Sequence, residues 1–278
     1  MYRQHWSVQG SPFADRPDPD CYYAGFGHDE AMSRVLYCIE EQHGVAVITG
    51  AAGCGKSLLL TILEQGLGRT RRTVCRLGAI GEGGLIDDLT RRLLPSDEDR
   101  SHRRLYEELA TRSEAAMHTV VLIDDVDRTP SFAREASSLI RLLEQFSARM
   151  TAVVSAANAE ALPTSLTAGR LKIEVGPLAA HEIEPYVRQQ LGDDANGEIF
   201  TPEGYRVIAE LSGRVPRTIN SLCELALIIG ANRRALAIDG EIVEAAAKEL
   251  RLSVTSHESA KQPASPSPVS EQRRVFVN

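Results

Sequence analysis

The octapeptide GAAGCGKS, residues 50–57, restricts the fold of this chain more than any other stretch. It follows the wholly apolar run GVAVITG and opens the helical pattern KSLLLTILEQGLG. Glycines allow a loop to surround a phosphate with its backbone N–H groups, and the helix that follows directs its positive end at the same anion. The spacing G-x-x-x-x-G-K-S between a strand and a helix therefore predicts a nucleoside triphosphate site.

Each residue type in this loop has an expected contact. Lys56 is expected to reach the β- and γ-phosphates, and the Ser57 hydroxyl to hold Mg²⁺. We interpret Cys54 as a small filler that contributes its N–H, because a thiolate beside a triphosphate is electrostatically disfavoured. The predicted nucleotide-binding residues are Gly50, Ala51, Ala52, Gly53, Cys54, Gly55, Lys56, Ser57 and Leu58.

A second motif, VVLIDDVDR at residues 120–128, places three acids directly after an apolar strand. Adjacent carboxylates repel each other, so a positive charge is expected nearby. Asp124 is predicted to hold Mg²⁺, and Asp125 to orient and polarise the attacking water. We interpret Asp127, which precedes RTPSF, as a turn or cap residue rather than a third catalytic acid.

Apolar strand patterns alternate with helical patterns through the first two thirds of the chain. The strand patterns are GVAVITG, RTVCRLGAI, HTVVLIDD, TAVVSAAN and RLKIEVGPL. This alternation predicts a parallel α/β sheet flanked by helices, and the helical patterns that follow predict a small all-helical lid subdomain. The predicted division is an irregular N-terminal linker at 1–27, the α/β core at 28–177, the lid at 178–252 and a disordered, Ser- and Pro-rich tail at 253–278.

Composition restricts the classes of function and of location. The net charge of −7 argues against a surface coated in basic residues for non-specific nucleic-acid binding. Five scattered cysteines without CxxC spacing predict neither a disulfide framework nor a zinc site. The N-terminus has no apolar signal core and no apolar run approaches the roughly 20 residues of a membrane helix. We therefore expect a soluble, cytoplasmic protein.

Together these motifs resemble the AAA+ ATPases of the general secretion pathway protein A (ExeA-like) type. The resemblance covers about residues 1–252 and includes the N-terminal SPFADRPDPDCYYAGFGHDEAMSRVLY and the C-terminal block IFTPEGYRVIAELSGRVPRTINSLCELALI. It implies a P-loop NTPase fold of the ASCE type with a helical lid. It also implies ATP and Mg²⁺ as cofactors, and hydrolysis of ATP to ADP and phosphate.

The resemblance extends catalytic roles to three further residues. Asn158 matches the sensor-1 polar residue that helps to position the water, with an ordinary loop asparagine as the alternative. Arg217 matches the sensor-2 arginine that projects from the lid to the γ-phosphate, with a surface ion pair as the alternative. Arg170 matches the position of an arginine finger for a neighbouring subunit; a structural role is equally open, and Arg149 and Arg214 are other candidates.

The N-terminal segment CYYAGFGHDE is where the resemblance places the adenine base. Tyr22, Tyr23 and His28 are the side chains predicted to contact it. The rest of the segment can hold the base through backbone groups alone.

The resemblance also implies partners and a role. A homo-oligomer, at least transient and ATP-dependent, is expected to act on protein partners of a bacterial secretion, pilus or exopolysaccharide assembly machine, located at the inner membrane through those partners. One departure matters: the family usually has Asp-Glu at the strand end, whereas this chain has Asp124-Asp125. The shorter acid predicts slow turnover. The alternatives are a DNA-associated AAA+ regulator of the transposition-helper kind, less favoured by the acidic charge, and a slowly hydrolysing nucleotide switch.

Overall fold

The structure is a computed structural model of the full chain. It describes residues 2–14, 16, 18–68, 72–78, 84–97, 99, 101–128, 132–147, 149–192 and 198–252, except for the side chain of Arg128. The predicted disordered tail, residues 253–278, lies outside the described residues.

In the described part of the chain, five parallel strands form one sheet in the order β2-β3-β4-β1-β5. The strands are β1 Val45–Thr49, β2 Thr73–Leu77, β3 Thr119–Ile123, β4 Met150–Ala156 and β5 Leu171–Glu174. The central strands β3 and β4 are buried throughout, as their mostly apolar sequences predict, because helices cover both faces of a parallel sheet. Strand β4 lies between β1 and β3, so the loops that follow these three strands meet at one edge.

Helices surround the sheet and continue beyond it. They are α1 Tyr2–Trp6, α2 Phe26–Glu40, α3 Lys56–Leu67, α4 Gly84–Leu93, α5 His102–Glu114, α6 Phe132–Gln145, α7 Thr164–Thr167, α8 Ile183–Leu191, α9 Pro202–Leu211, α10 Pro216–Asn232 and α11 Gly240–Glu249. Side chains alternate along β3: Val120 and Leu122 pack towards α2 and α3, whereas Val121 and Ile123 pack towards α4, α5 and α6. The predicted parallel α/β sheet flanked by helices is confirmed.

Helices α8–α11 share a separate apolar core, and α1 belongs to it. Trp6 is 5% exposed, and its indole N–H donates to the Leu227 carbonyl of α10 at 2.8 Å. A Cβ placed on Gly230 would lie 2.8 Å from Trp6 Cζ2, so α10 carries a glycine where the indole packs. The prediction that residues 1–27 are irregular is wrong for Tyr2–Trp6. A single helical turn has no periodicity to detect and depends on tertiary packing. The boundaries of the core and the lid stay predictions.

Replacing Trp6 by alanine is expected to lower the free energy of unfolding by about 3–5 kcal/mol, because it removes a buried ring and its hydrogen bond. Tyr37→Ala is the matched control, since Tyr37 is 58% exposed and its loss should change the stability by less than about 1 kcal/mol. Urea denaturation measures both variants. Equal losses would contradict the assignment of α1 to the lid core.

His118, at the start of β3, makes the stability dependent on pH. It is buried, its Nε2 lies 3.1 Å from Thr151 Oγ1, and its pKa is lowered by burial and then by the cations of Arg72 and Arg149. Below the unfolded value of about 6.5, the unfolded chain therefore binds a proton that the folded chain excludes, and stability falls as pH falls.

Replacing His118 by glutamine should reduce the slope of stability against pH between about pH 7 and 5.5, where one group contributes at most about 1.4 kcal/mol per pH unit. Urea denaturation across this range gives the slope, and the comparison of slopes is independent of any constant loss of stability. An unchanged slope would contradict the assignment.

Candidate nucleotide-binding site

The predicted phosphate loop connects β1 to α3 and has backbone geometry that only glycine adopts. A Cβ placed on Gly50 would lie 2.2 Å from the Val175 carbonyl oxygen, so the loop can leave β1 this close to the end of β5 only without a side chain. Gly53 has a φ of +87°, a region that other L-residues rarely adopt. The structure therefore requires glycine at two positions of GAAGCGKS, at the start of the loop and in its middle.

The loop positions Lys56 at the start of α3. Its side chain is 6% exposed, and its ammonium donates to the carbonyls of Gly50 at 2.7 Å and Ala51 at 3.3 Å. The first N–H groups of a helix have no carbonyl partner within the helix, so α3 presents donors beside this ammonium. Backbone donors, a helix N-terminus and a lysine together fit a phosphate chain.

The charge of Asp124 is compensated by a row of polar side chains on three neighbouring strands. Asp124 Oδ2 accepts from Arg76 Nη2 at 3.0 Å, and Oδ1 accepts from the Ser155 hydroxyl at 2.7 Å. Arg76 lies in β2 and Ser155 in β4, on either side of β3, and their side chains emerge on the face that α3 covers. Sequence reasoning missed both residues; the detectable signal was a polar residue within an otherwise apolar strand.

The second acid, Asp125, turns out of the strand into the cleft. Its φ is +46°, a left-handed conformation in which aspartate is enriched among non-glycine residues, and its N–H donates to the Ser155 hydroxyl at 2.9 Å. Its side chain lines the same cleft as Lys56 and Ser57. Asp127 lies in a 3₁₀ turn, Val126–Arg128, and also lines this cleft.

A second cavity joins the phosphate cleft on the side of the N-terminal segment. Tyr22, Tyr23 and His28, the residues predicted to contact the base, all line it. The Tyr23 ring meets Tyr186 of α8 edge-on at 5.6 Å, and the Tyr186 hydroxyl donates to Asn220 of α10 at 2.7 Å. The cavity is therefore bounded by the N-terminal segment, α3 and the lid, which is a shape suited to a planar base.

His28 links α2 to the phosphate loop. Its Nε2 donates to the Cys54 carbonyl at 2.8 Å, and a Cβ placed on Gly55 would lie 3.1 Å from the same nitrogen. Cys54 is fully buried, and burial raises the pKa of its thiol, as a space-filling role requires. The hydrogen bond from His28 therefore holds the phosphate loop through the Cys54 carbonyl rather than through a side chain.

The lid contacts the phosphate loop directly. The Arg217 N–H at the start of α10 donates to the Gly53 carbonyl at 3.3 Å, and a Cβ placed on Gly53 would lie 2.8 Å from Arg217 Cβ. The Arg217 side chain lines the phosphate cleft. A movement of α10 relative to the sheet therefore changes the surroundings of Gly53.

A buried carboxylate ties the start of the lid to the start of α2. Glu182 is 6% exposed, and its two oxygens accept from the N–H groups of Phe26 at 2.8 Å and of Ala179 at 2.7 Å. Phe26 is the first residue of α2, so the carboxylate also lies at the positive end of that helix. Sequence reasoning missed Glu182 because one of its two partners, the Phe26 N–H, is far away in the chain.

Two predicted catalytic residues, Asn158 and Arg170, are not among the residues that line the phosphate cleft. Asn158 is exposed, and its Oδ1 accepts from the Ala161 N–H at 2.8 Å as the cap of a 3₁₀ turn. Arg170 precedes β5 and lies near Gly44, which precedes β1, so it is at the edge of the sheet opposite the phosphate loop. The chain does not bring Arg170 to its own loop. The sensor role of Asn158 and the intersubunit role of Arg170 stay predictions.

The donor set also fits Mg²⁺. Among the described residues, no group of three or more His, Cys, Asp or Glu side chains could hold a metal ion. Mg²⁺ usually keeps several waters and binds through one or two carboxylates together with substrate phosphates. Asp124 and the Ser57 hydroxyl beside a phosphate loop are groups of this kind.

Comparison with known proteins supports the identification of the phosphate loop and the two acids. A family model described as an AAA domain matches residues 39–163, which contain the phosphate loop and both acids. General secretion pathway protein A of Aeromonas hydrophila is 27% identical over 246 residues, covering 82% of this chain and 44% of that protein. The resemblance to AAA+ ATPases of this type is confirmed, and the chain spans less than half the length of that relative.

Several solved structures share the fold. Cdc6p from Pyrobaculum aerophilum superimposes with a TM-score of 0.70 at 16% identity, covering 91% of this chain and 73% of that one. Drosophila ORC bound to DNA gives 0.65 at 18% identity, covering 91% and 65%. The RuvB branch migration motor of Thermotoga maritima gives 0.55 at 15% identity, covering 83% and 73%. At these identities the likeness concerns the fold alone.

In the part of the chain that the structure describes, no helix is long and apolar enough to cross a membrane.

A methyl group added to Gly53 should separate the lid from the phosphate loop. Gly53→Ala introduces the clash with Arg217 and an unfavourable φ, so we expect a loss of about 1–3 kcal/mol in stability. We also expect at least about a tenfold loss of affinity for a fluorescent ATP analogue. Unfolding and titration measure the two effects.

Gly66→Ala is the matched control, since a Cβ there meets nothing within 4 Å. In the interior of α3 it should raise stability by about 0.5–1 kcal/mol and leave the affinity unchanged. The role of Gly53 would be contradicted if both alanine variants bound the analogue equally well.

Proposed function

We propose that the protein binds Mg·ATP, hydrolyses it slowly, and converts the state of the nucleotide into movement of its helical lid. The observation that carries the proposal is the contact between the Arg217 N–H and the Gly53 carbonyl, inside a cleft that Lys56 and Asp125 also line. Phosphate-binding, acidic and lid elements therefore share one cleft. The AAA domain match over the loop and both acids supports the same conclusion.

Each residue of the site has its own role in binding or hydrolysis. Lys56 and the N-terminus of α3 hold the phosphates and offset their charge. Ser57 and Asp124 would hold Mg²⁺, which would supply positive charge to offset the charge that develops on the transferred phosphoryl group. Asp125 orients the attacking water and accepts its proton. The Arg217 side chain contacts the γ-phosphate, so loss of that group removes a contact that holds α10 against the loop.

The left-handed backbone at the second acid favours aspartate over glutamate. Asn and Asp are enriched several-fold at positive φ because their short polar side chains bond locally, which glutamate does less readily. Asp125 thus fits its φ of +46°, at the cost of about one methylene of reach towards the water. Slow hydrolysis is the expected consequence.

The system served is proposed from the relative. General secretion pathway protein A places a similar AAA domain in secretion, so we infer protein partners in a bacterial envelope assembly machine. We also infer a homo-oligomer: the resemblance assigns an arginine finger to Arg170, which lies at the sheet edge opposite its own loop, so in that role it would act on a neighbouring copy. The net charge of −7 favours protein partners over nucleic acid.

Two substitutions test the site. Lys56→Ala should lower the affinity for Mg·ATP at least about tenfold. Asp125→Asn should keep the affinity within about threefold while turnover falls by roughly 10²–10⁴, because asparagine tolerates the same backbone but cannot accept the proton. Calorimetry and phosphate release measure binding and turnover.

Lys248→Ala, on the exposed face of α11, is the control and should change neither quantity. Normal hydrolysis by Asp125→Asn would show that another group positions the water. Stimulation of the wild-type protein by double-stranded DNA would overturn the assignment to envelope assembly in favour of a DNA-associated regulator.

A further inference from the structure

Arg76 is a cation in the middle of a strand, and it bonds to both elements that carry the predicted magnesium ligands. Its Nη2 donates to Asp124 Oδ2 at 3.0 Å and to the Ser57 carbonyl at 3.2 Å. Its Nη1 donates to Thr61 Oγ1 at 2.6 Å and lies 3.5 Å from Glu64 Oε2. One guanidinium nitrogen therefore bridges the end of β3 and the first turn of α3.

This pair differs from the ion pairs on the protein surface. Arg103 and Glu107 are one turn apart on α5, with side chains 87% and 52% exposed, and such pairs contribute little. The Arg76 and Asp124 side chains are only 20% and 14% exposed. Partial burial makes the charge of Arg76 effective at the carboxylate, because little water screens it.

The contacts of Asp124 leave room for a metal. A carboxylate has about four acceptor sites, and the bonds from Arg76 and Ser155 use one on each oxygen. The remaining sites can accept bonds from a magnesium ion or its waters. Arg76 therefore leaves acceptor sites of Asp124 for the metal, but its positive charge weakens the attraction of Asp124 for a divalent cation.

We propose that Arg76 is the resident counterion of Asp124: it positions the metal carboxylate and sets the Mg²⁺ concentration at which the site is filled. This inference rests on the proposed function, since it concerns the metal of the same site. It assigns to Arg76 a positioning role through charge. The guanidinium compensates Asp124 without Mg²⁺, so this carboxylate does not depend on the metal for its folded geometry.

Removing the charge of Arg76 should therefore make the stability of the protein depend on Mg²⁺. Arg76→Gln leaves Asp124 beside Asp125 without its cation, so the melting temperature in a chelator should fall. Mg²⁺ alone, without nucleotide, should then restore part of the loss, while the wild-type protein shows little change. In titrations of the fluorescent ATP analogue, the half-saturating Mg²⁺ concentration should fall at least about threefold.

Two matched variants separate charge from packing. Arg76→Lys keeps the cation and should keep the Mg²⁺ dependence of the wild-type protein within about twofold. Arg104→Gln removes the partner of Asp97 from a pair of similar burial, 30% and 28% exposed. Its melting temperature should fall without any recovery on adding Mg²⁺.

The proposal is overturned if Arg76→Gln loses stability that Mg²⁺ does not restore, or if its half-saturating Mg²⁺ concentration equals that of the wild-type protein. If Arg76→Gln does not fold, Arg76→Met is compared with Arg76→Lys instead. The proposal would be overturned equally if these two variants showed the same dependence on Mg²⁺. Failure of the wild-type protein to bind ATP would instead reject the proposed function. The melting experiment with Mg²⁺ alone needs no nucleotide, so the two failures are distinguishable.

Discussion

The hydrogen-bonded carboxylate of Asp124 is the interaction on which the rest of the site depends. Arg76 and Ser155 hold it from both sides, and the same serine hydroxyl accepts the N–H of Asp125. One residue of β4 therefore contacts both acids, and one residue of β2 offsets the charge of Asp124. The strand order makes this possible, because β2, β3 and β4 are neighbours and β4 also borders the strand that leads into the phosphate loop.

The second constraint is the close packing of the lid against the loop. Gly53 has no side chain where α10 begins, and Glu182 ties the start of the lid to α2. The N-terminal helix α1 packs into the lid core through Trp6 and precedes the segment that lines the base cavity. The phosphate loop and the base cavity are thus connected to the lid, directly or through the N-terminal segment. This connection is the physical basis that we propose for coupling nucleotide state to movement of the lid.

The sequence predicted the parts of this arrangement that depend on local pattern. Mostly apolar runs identified β1, β3 and β4 because these strands are buried on both faces, and GAAGCGKS identified the loop because its glycines are needed locally. Arg76 and Ser155 could not be placed, because their meeting at Asp124 depends on strand order and on which face each side chain occupies. The helix Tyr2–Trp6 was missed because it is stabilised by distant packing and not by its own sequence.

The central claim is that the phosphate loop and the lid respond to nucleotide together, and amide hydrogen exchange tests it most directly. The Arg217 N–H donates to the Gly53 carbonyl, so both regions report on one contact. In Asp125→Asn protein held in Mg·ATP or Mg·ADP, exchange at residues 214–219 should be slower with ATP than with ADP, and exchange at residues 50–58 should differ in parallel. Protection of the loop by both nucleotides, with identical exchange in the lid, would contradict the account.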